Sequence, residues 1–475
     1  MRDPDGRLLL LGGRVVRWVK QPQVAAFDSL LASEFMRSQL ERGRIVATRP
    51  LAATEVATIA GERAAEVTAL ADQGRFYEHD AVPFISYPYE WPAEMAHAAA
   101  VLTLELAQEA LAAGYRLKDA TPYNVLFAGT RPVFVDILSF EEREPGDPVW
   151  PAEGQYLRTF LLPLLAEKRF GITYDELLSL KRDGITPEAL YALTSRLGRL
   201  APMFLRYVAL PVWLAGRSDD PAVYARRTLA NPDQATFILG RTMARLLRAT
   251  AKVDRGGKMS SHWSGYMSGH SSAGHSYDDS EFGQKEAFIT AALQHCQPKW
   301  VLDVGANTGH FSMQAARTGA SVIALDFDAH SVGAIWRSAQ AENLDVLPLV
   351  QDIADPSPAR GWCNGETQSF LARSEGRFDL VLMLALIHHL TLTNGIPVEE
   401  VVELAAHLTR AECVIEYVGP EDPMRQRIRR GRMEIDAAIT RERFETACAR
   451  FFETVAMEQI GSSDRWIYHL QRRPA

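Results

Sequence analysis

Residues 301–328, VLDVGANTGHFSMQAARTGASVIALDFD, decide the fold of the C-terminal half of the chain. The apolar segment 301–304 predicts a buried parallel strand, and the turn GANTG follows it at 305–309. A helix is expected to begin near His310, and a second apolar strand is expected to deliver Asp326 to its carboxyl end. Strand, glycine turn, helix and strand in this order predict an open α/β sheet that binds its ligand at the carboxyl ends of the strands.

The residues around this turn fit a nucleoside ligand. Gly305 and Gly309 leave no side chain where the backbone must pass close to a ligand, and Asn307 tolerates a left-handed conformation best among non-glycine residues. Asp326 follows the first glycine by about 20 residues, a spacing typical of an acid that accepts hydrogen bonds from a ribose. Asp303 would repel a pyrophosphate but suits an ammonium group, which disfavours a dinucleotide. A glycine turn without a ligand is the alternative interpretation.

The pattern D-x-G-x-N-x-G at 303–309 resembles the first motif of class I S-adenosylmethionine (SAM)-dependent methyltransferases. The resemblance covers roughly residues 281–473 and implies SAM as the cofactor. In that family an acid after the third strand faces the adenine amino group, and Asp352, which follows the apolar run 346–350, matches it. The residues that the resemblance assigns to cofactor binding are Asp303, Gly305, Asn307, Gly309, Asp326, Asp352 and Ile353.

The remaining apolar segments of this half complete a sheet. Runs at 378–387 and 413–418 predict a fourth and a fifth strand, and runs at 451–460 and 466–470 flank the turn GSSD at 461–464. The last two runs predict an antiparallel hairpin. Strands that alternate with helical stretches and end in a hairpin indicate the family's sheet, a Rossmann-like seven-stranded α/β methyltransferase sheet.

Three side chains are candidates for a base that removes a proton from an oxygen or amine acceptor: His389, His388 and Glu416. The two histidines follow the fourth strand, at the edge where the cofactor methyl is expected, and histidine titrates near neutrality. Adjacent residues usually point apart, so we expect one histidine to face the pocket and slightly prefer His389. Structural capping is the alternative. The family's amino-methylating nucleic-acid enzymes carry an N/D-P-P-Y/F motif at the fourth strand, and this chain has MLAL at 383–386 instead, which disfavours N-methylation of adenine or cytosine.

Length and composition indicate an ordinary globular protein with more than one domain. A chain of 475 residues exceeds the size at which single cores stop growing, about 250–300 residues, and 47% hydrophobic with 23% charged residues is a typical globular composition. Four cysteines without C-x-x-C spacing favour free thiols in a reducing compartment over disulfides or zinc.

Charge and hydropathy restrict the partners. A net charge of -8 argues against a nucleic-acid substrate. The longest apolar run, 202–216, is too short to span a bilayer, and residues 1–13 lack an adequate apolar signal segment, so we predict a cytoplasmic protein with no membrane partner. One basic cluster is either a solvated helix face or a surface that attracts an anionic group near the substrate. It consists of Arg425, Arg427, Arg429, Arg430 and Arg432.

The segment between the halves, about residues 251–280, is rich in Ser, Gly, His and Lys and is predicted to be a linker or a lid. In class I methyltransferases the segment before the first strand often folds over the cofactor. Trp263, Tyr266 and Tyr277 are therefore candidates for a pocket lid, and a linker with anchoring aromatic residues is the alternative. The histidines of the segment match no helical face, and no metal site is predicted.

The N-terminal half contains a second motif. A long helix is predicted at 93–113, KDATPYNVLF follows at 118–127, and a short strand ends in Asp136. This arrangement resembles the catalytic loop and metal-binding segment of protein kinases and aminoglycoside phosphotransferases. In those folds an Asp is the base, an Asn five residues later binds a metal, and a second Asp follows a strand about a dozen residues further on. Asp119, Asn124 and Asp136 match in type and spacing.

The rest of this half does not match an active kinase. No glycine-rich phosphate loop precedes the motif, Lys20 is the only plausible stand-in for the strand lysine, and ILS at 137–139 replaces the usual Phe-Gly. We therefore predict an α+β kinase-like, helix-rich N-terminal domain that no longer transfers phosphate. The alternative is that the three polar residues only cap turns.

A further resemblance spans nearly the whole chain. The segments 82–92, 117–127 and 132–141, together with 356–362 and 385–390, look like a group of bacterial two-part methyltransferases that includes rhizobial nodulation-type proteins. The resemblance implies methyl transfer but leaves the acceptor undefined.

The predicted organisation is a kinase-like accessory or substrate-recognition domain at 1–250, a linker or lid at 251–280 and a methyltransferase domain at 281–475. The predicted function is SAM-dependent O- or N-methylation of a small molecule, sugar or biosynthetic intermediate, with the N-terminal domain positioning the acceptor or gating its access. Two alternatives stay open. One is a bifunctional protein with an active ATP-dependent phosphotransferase half, and the other is a non-catalytic SAM-binding sensor or interaction protein. The sequence gives no prediction of the oligomeric state.

Overall fold

The computed structural model describes residues 5–215, 228–253, 279–429 and 439–474. The chain divides into two units. The N-terminal unit comprises Met1–Tyr89 and Met95–Arg255, and the C-terminal unit comprises Glu90–Glu94 and Gly256–Ala475. Glu90 is buried within the C-terminal unit, where its carboxylate accepts hydrogen bonds from Arg373 and, at 2.6 Å, from Ser357 Oγ.

The N-terminal unit begins with a four-stranded antiparallel sheet in the order β1-β2-β4-β3. Leu9 and Leu11 alternate with exposed residues along β1, so one face of the sheet packs into an apolar core with Val16 and Phe76. The strands are β1 (Gly6–Leu11), β2 (Arg14–Lys20), β3 (Thr48–Leu51) and β4 (Gly74–His79), and the helices are α1 (Gln21–Ala32), α2 (Glu34–Glu41), α3 (Ala53–Ile59) and α4 (Ala64–Ala71).

A long helix, α5 (Ala93–Ala112), and two short antiparallel strand pairs follow, in the order that the kinase resemblance implies. The outer pair is β5 (Tyr115–Leu117) with β8 (Phe140–Glu142), and the hairpin of β6 (Val125–Ala128) and β7 (Arg131–Phe134) lies between them in the chain. The remainder is helical: α6 (Glu153–Tyr156), α7 (Leu162–Phe170), α8 (Tyr174–Leu180), α9 (Pro187–Leu193), α10 (Pro202–Phe204), α11 (Leu210–Ala215) and α12 (Pro232–Val253). Within the described ranges of the chain, none of the helices combines the length and the apolar composition needed to cross a membrane.

The C-terminal unit is built on a seven-stranded sheet in the order β11-β10-β9-β12-β13-β15-β14. Its strands are β9 (Trp300–Val304), β10 (Ser321–Asp326), β11 (Val346–Val350), β12 (Phe378–Met383), β13 (Thr409–Val418), β14 (Phe452–Gln459) and β15 (Arg465–Arg472). The strands β9 to β13 are parallel, and β15 is antiparallel to both of its neighbours. The predicted Rossmann-like sheet with a terminal hairpin is confirmed. The strand order reverses between β9 and β12, which opens a crevice at their carboxyl ends.

The parallel strands are mainly apolar because helices cover both faces of the sheet. Every residue of β11 is buried, and Val301, Leu380 and Val414 form the core with the flanking helices. These helices are α13 (Asp279–Cys296), α14 (His310–Arg317), α15 (Ala329–Glu342), α16 (Phe370–Ser374), α17 (Val398–Leu408), α18 (Pro423–Ile428) and α19 (Arg441–Phe451). All four cysteines are free thiols.

The fourth strand is shorter than the sequence predicts. We expected it to extend over 378–387, but β12 ends at Met383. The prediction was wrong because Ala385 adopts a φ of 50°, which no strand accommodates, and the chain then enters a π-helical segment, His389–Thr393. Apolar composition alone does not mark this change in backbone direction.

Candidate functional site

The turn after β9 has the left-handed backbone that its residue types suggest. Gly305, Asn307 and Gly309 have φ values of 75°, 50° and 84°. A Cβ atom on Gly309 would lie 2.9 Å from Cγ1 of Ile335, so a larger residue would also collide with the helix α15. The N–H of Gly305 donates to the carbonyl of Leu325 at 2.9 Å, which ties the turn to the neighbouring strand. The hydrogen bond to Leu325 and the close approach of Ile335 therefore hold the turn in place.

Asp326 lies beside this turn at the end of β10 and is 8% exposed. Its Oδ2 accepts a hydrogen bond from the N–H of Asn307 at 2.8 Å, and its Oδ1 accepts one from the N–H of Asp328 at 2.9 Å. Burial raises the pKa of Asp326 to about 6, against the lowering effect of these backbone donors. A carboxylate oxygen has two lone pairs, so each oxygen can still accept one more hydrogen bond.

Asp303 is more deeply enclosed, at the end of β9. Its Oδ2 accepts a hydrogen bond from Ser312 Oγ at 2.6 Å, so the carboxylate also supports the first turn of α14. Burial raises the pKa of Asp303 to about 6, while the Ser312 hydrogen bond and the nearby Lys285 act in the opposite direction. The predicted contact with a ligand ammonium group stays a prediction.

The third strand ends in the residues expected at an adenine. Asp352 is exposed and accepts a hydrogen bond from the N–H of Ala354 at 2.8 Å, while Ile353 is buried. The sequence analysis missed Phe327, which follows Asp326 directly and is 58% exposed. The sequence does contain a signal for this residue. It is aromatic, it follows the end of a strand, and it is adjacent to the acid that is predicted to bind the ribose.

The chain after β12 returns to the glycine turn. A Cβ atom on Gly305 would lie 3.3 Å from Leu386 Cδ1, so this segment lies over the turn. Ala385, with its left-handed φ, produces the change in direction. Non-glycine residues in such conformations cluster at functional sites. The histidine pair follows Leu386 in this segment, after the end of β12.

The two histidines do not point apart as we expected. The ring centroids of His388 and His389 are 4.3 Å apart, with an angle of 42° between the planes. Burial holds the pKa of His388 well below its usual value, with further lowering by His389 and Arg465. Burial also lowers the pKa of His389. The expectation was wrong because it assumed an extended backbone, whereas the chain here is helical and turns less between successive residues.

Glu416 belongs to a buried charge network, which comprises Lys285, Glu416, Arg465 and Asp422. Its Oε2 lies 2.6 Å from Lys285 Nζ, and its Oε1 lies 3.2 Å from Arg465 Nη1. Arg465 Nε in turn lies 2.7 Å from Asp422 Oδ2. Burial lowers the pKa of Lys285, and Glu416 opposes that effect. A carboxylate paired with two cations is a poor proton acceptor, so Glu416 is the weakest of the three base candidates. The sequence analysis missed Lys285 and Arg465.

The three polar residues of the N-terminal motif lie together. Ser139 Oγ donates to Asp136 Oδ2 at 2.5 Å, and Asn124 Nδ2 donates to Ser139 Oγ at 3.2 Å. Asn124 Nδ2 also lies 3.4 Å from the carbonyl oxygen of Asp119. Asp136 Oδ1 is 2.9 Å from Nη2 of Arg17, in an ion pair whose side chains are both buried. Both oxygens of Asp136 are therefore engaged by protein groups.

The cation of this motif is not the one we expected. Lys20 is exposed at the end of β2, whereas Arg17, in the same strand, is buried and contacts Asp136. Nε of Arg17 also donates to Nε2 of His79 at 3.2 Å, and burial together with Arg17 lowers the pKa of His79 to about 3. The Lys20 prediction was wrong because alternation along the strand places Arg17 on the face that meets the motif.

Several further predictions have a more limited outcome. Trp263, Tyr266 and Tyr277 lie outside the described residues, as do Arg430 and Arg432. Arg425 is buried and donates to the carbonyl oxygens of Val418 at 2.7 Å and Ile439 at 2.9 Å, so it does not belong to a solvated face. In the part of the chain that the structure describes, no three His, Cys, Asp or Glu side chains are grouped so as to hold a metal ion.

Comparison with known proteins defines the class of the C-terminal unit. Residues 302–410 match the model of the methyltransferase domain family. The C-terminal region therefore contains a methyltransferase domain, and this match supports a SAM-dependent methyltransferase function.

The similarity to individual proteins extends further. The chain is 29% identical to the nodulation protein NoeA of Rhizobium meliloti (strain 1021), over 99% of this chain and 95% of that protein. The predicted resemblance to nodulation-type proteins is thereby confirmed. A 130-residue alignment, 27% of this chain, is 29% identical to the O-antigen chain terminator bifunctional methyltransferase/kinase WbdD of Escherichia coli and covers 16% of that protein. A 2.2 Å crystal structure of WbdD is 21% identical over 41% of each chain, with a TM-score of 0.31.

Proposed function

We propose that the protein transfers the methyl group of SAM to a small molecule, sugar or biosynthetic intermediate, in the crevice at the carboxyl ends of β9, β10 and β12. One observation supports the proposal: the left-handed turn and the buried Asp326 lie at the carboxyl ends of β9 and β10, and the histidine pair follows β12, across the point where the strand order reverses. No nucleic acid or membrane is part of this proposal, and a cytoplasmic location stays a prediction.

The residues of the crevice fit the cofactor. The free lone pairs of Asp326 suit the two ribose hydroxyl groups, and Asp352 suits the adenine amino group. The turn admits the methionine part where Gly305 and Gly309 carry no side chain. Bound SAM supplies an electrophilic methyl group on a sulfonium. The protein then has to align the acceptor oxygen or nitrogen with this methyl group and exclude water. His388, His389 and Glu416 remain the candidates for any proton transfer.

The affinity for SAM is expected to fall at acid pH. Only the ionised form of Asp326 accepts two ribose hydroxyl groups, and burial raises the pKa of this carboxyl to about 6. Because the proton competes with the ligand below that pH, the dissociation constant should rise by about tenfold for each pH unit below 6. Calorimetric titrations between pH 5 and pH 7 measure this slope. Asp303→Asn serves as the comparison, since its carboxyl has a similarly raised pKa. A constant affinity over this range would contradict the role of Asp326.

We also propose that the N-terminal unit no longer transfers phosphate and instead recognises the acceptor or gates its access. A kinase needs the carboxylate of its second Asp free to hold magnesium beside the nucleotide phosphates. Here Arg17 forms an ion pair with Asp136 Oδ1, and Ser139 donates a hydrogen bond to Asp136 Oδ2. A magnesium ion would have to displace a buried arginine.

ATP with magnesium is therefore expected to give no binding heat at millimolar nucleotide and no turnover in the full-length protein. Asp136→Asn, which keeps the shape of the side chain, should leave this result unchanged. The bifunctional alternative is a serious rival because one relative is named a methyltransferase/kinase. ATP turnover that disappears in Asp136→Ala would establish it and overturn the proposal.

The non-catalytic alternative makes a different prediction, namely SAM binding without methyl transfer to any acceptor. Incubation of the protein with methyl-labelled SAM and an extract of its source cells separates the two. A single labelled small-molecule product is the expected result.

A further inference from the structure

One surface of the N-terminal unit exposes a group of large apolar side chains. Residues 187–214 form the helices α9 and α11 with short helical turns between them. Part of this segment packs into the unit through Leu190, Phe204 and Val208, which are buried. Other apolar side chains of the same segment face solvent, and Leu197 is 83% exposed. These side chains form the leucine–tryptophan patch, which consists of Leu193, Leu197, Leu200, Leu210, Trp213 and Leu214.

Three contacts bring the separate parts of the patch together at Tyr191 of α9. Nε1 of Trp213, in α11, donates to the phenol oxygen of Tyr191 at 3.0 Å. Cζ of Arg199 lies 3.7 Å from the centre of the Tyr191 ring, and Nη2 of Arg199 donates to the Tyr191 carbonyl oxygen at 3.1 Å. Each leucine of the patch is within three positions of one of these residues in the chain. The members of the patch therefore lie close together on one part of the unit.

The charge of this segment is opposite to that of the chain as a whole. The chain contains 59 acidic and 51 basic side chains, whereas residues 189–214 contain three arginines and no Asp or Glu. Arg196 and Arg206 are exposed. The acid that precedes the segment, Glu188, is at the opposite end of α9 from Leu193. Exposed leucines and a tryptophan thus occur together with arginines in a stretch of chain that contains no acid.

This composition favours a lipid surface over a protein partner. Contiguous exposed apolar patches mark sites of interaction with proteins or membranes. Leu is under-represented among the residues that dominate the binding energy of protein interfaces, whereas faces that lie in the headgroup layer combine Leu and Trp with Lys and Arg. The expectation of no membrane partner considered only segments long enough to span a bilayer. A face that lies on the membrane surface does not need that length.

We propose that the leucine–tryptophan patch attaches the protein to the surface of a membrane that contains anionic lipids. The leucines and Trp213 enter the boundary between headgroups and acyl chains, and Arg196 and Arg206 pair with the headgroup phosphates. The attachment is peripheral and reversible, because the net charge of -8 repels the rest of the chain from the same surface. This inference goes beyond the proposed methyl transfer and does not depend on it.

Flotation of the full-length protein with lipid vesicles tests the proposal. Vesicles of equal parts phosphatidylglycerol and phosphatidylcholine are compared with vesicles of phosphatidylcholine alone. We expect the protein to float with the anionic vesicles, more weakly with the neutral ones, and less with either as salt is added to the anionic mixture. No flotation with the anionic vesicles, or equal flotation with both kinds, would overturn the proposal.

A pair of substitutions within the patch tests its apolar part. Leu197→Glu with Leu200→Glu places two charges on the face that must enter the lipid, and both side chains are exposed, so the fold should be kept. We expect this variant to lose flotation. Leu8→Glu with Leu10→Glu changes two exposed leucines of β1 and should float like the wild type. Far-ultraviolet circular dichroism checks that both variants fold. An equal effect of the two pairs, or no effect of the first, would refute the role of the patch.

A second pair of substitutions tests the arginines. Each basic side chain near an anionic surface strengthens attachment by about fivefold, so Arg196→Gln with Arg206→Gln should weaken binding to the anionic vesicles by about 25-fold. Arg7→Gln with Arg37→Gln removes the same charge from exposed positions outside the patch and should have little effect. Equal losses in both pairs would show that only net charge matters and would contradict the proposal.

A second copy of the chain is the alternative occupant of the patch. Light scattering of the full-length protein without lipid distinguishes it. A dimer that becomes a monomer in Leu197→Glu with Leu200→Glu, together with no flotation of the wild type, would assign the patch to a subunit interface and overturn the proposal. We expect the same mass for the wild type and this variant.

Discussion

Replacing Asp326 with alanine is expected to weaken SAM binding by about 100- to 10,000-fold, the largest functional effect of any single change in the crevice. Two hydrogen bonds from ribose hydroxyl groups to a carboxylate contribute about 1.5–3 kcal/mol each, and 1.4 kcal/mol corresponds to a factor of ten. The substitution also removes the acceptor of the Asn307 N–H, which helps to hold the glycine turn. Calorimetric titration of the full-length protein with SAM measures the change.

Asp345→Ala is the matched control for this substitution. Asp345 is also an aspartate beside β10, but it is exposed at the amino end of the sheet, where its Oδ2 accepts a hydrogen bond from Ser321 Oγ at 2.5 Å. Its removal should leave the affinity for SAM unchanged. If Asp326→Ala bound SAM as tightly as this control, Asp326 would have no ribose contact, and the proposed orientation of the cofactor would be wrong.

The parts of the site that the sequence predicted are those set by local pattern. Apolar runs indicate which segments form strands, and the residue types at 305–309 restrict the backbone of the turn. Asp326 lies at the carboxyl end of β10 because it is the last residue of that predicted strand. An apolar strand pattern or a glycine spacing is visible within a few residues. These features of the site can therefore be predicted without knowing the rest of the chain.

The parts that the sequence did not predict depend on contacts between distant residues. Lys285 and Glu416 are 131 positions apart, and no local pattern pairs them. Arg17 and Asp136 form a buried pair across a similar distance, and Lys20 was preferred only for its residue type. The close approach of the two histidine rings depends on one backbone angle, that of Ala385, which composition does not reveal.

Glu416→Ala is expected to have the largest effect on stability. The carboxylate is completely buried and lies within 3.2 Å of both Lys285 and Arg465. Its removal leaves two cations in the interior without their shared partner, and breaking a buried ion pair in this way costs about 3–5 kcal/mol. Urea unfolding of the full-length protein measures this loss. The transition that SAM shifts to a higher urea concentration is the one to follow, because it reports on the unfolding of the C-terminal unit.

A surface pair provides the control for this effect. Arg317 and Glu342 are 2.8 Å apart, but both are exposed, so Glu342→Ala should change the free energy of unfolding by about 1 kcal/mol or less. The double substitution Lys285→Met with Glu416→Leu should restore part of the stability lost in Glu416→Ala, because it removes a cation together with its partner and leaves the pair of Arg465 with Asp422 in place. If Glu416→Ala were no more harmful than Glu342→Ala, the network would not stabilise the fold. Glu416 would then return as a candidate for the base, and a loss of kcat with normal stability in Glu416→Gln would support that role.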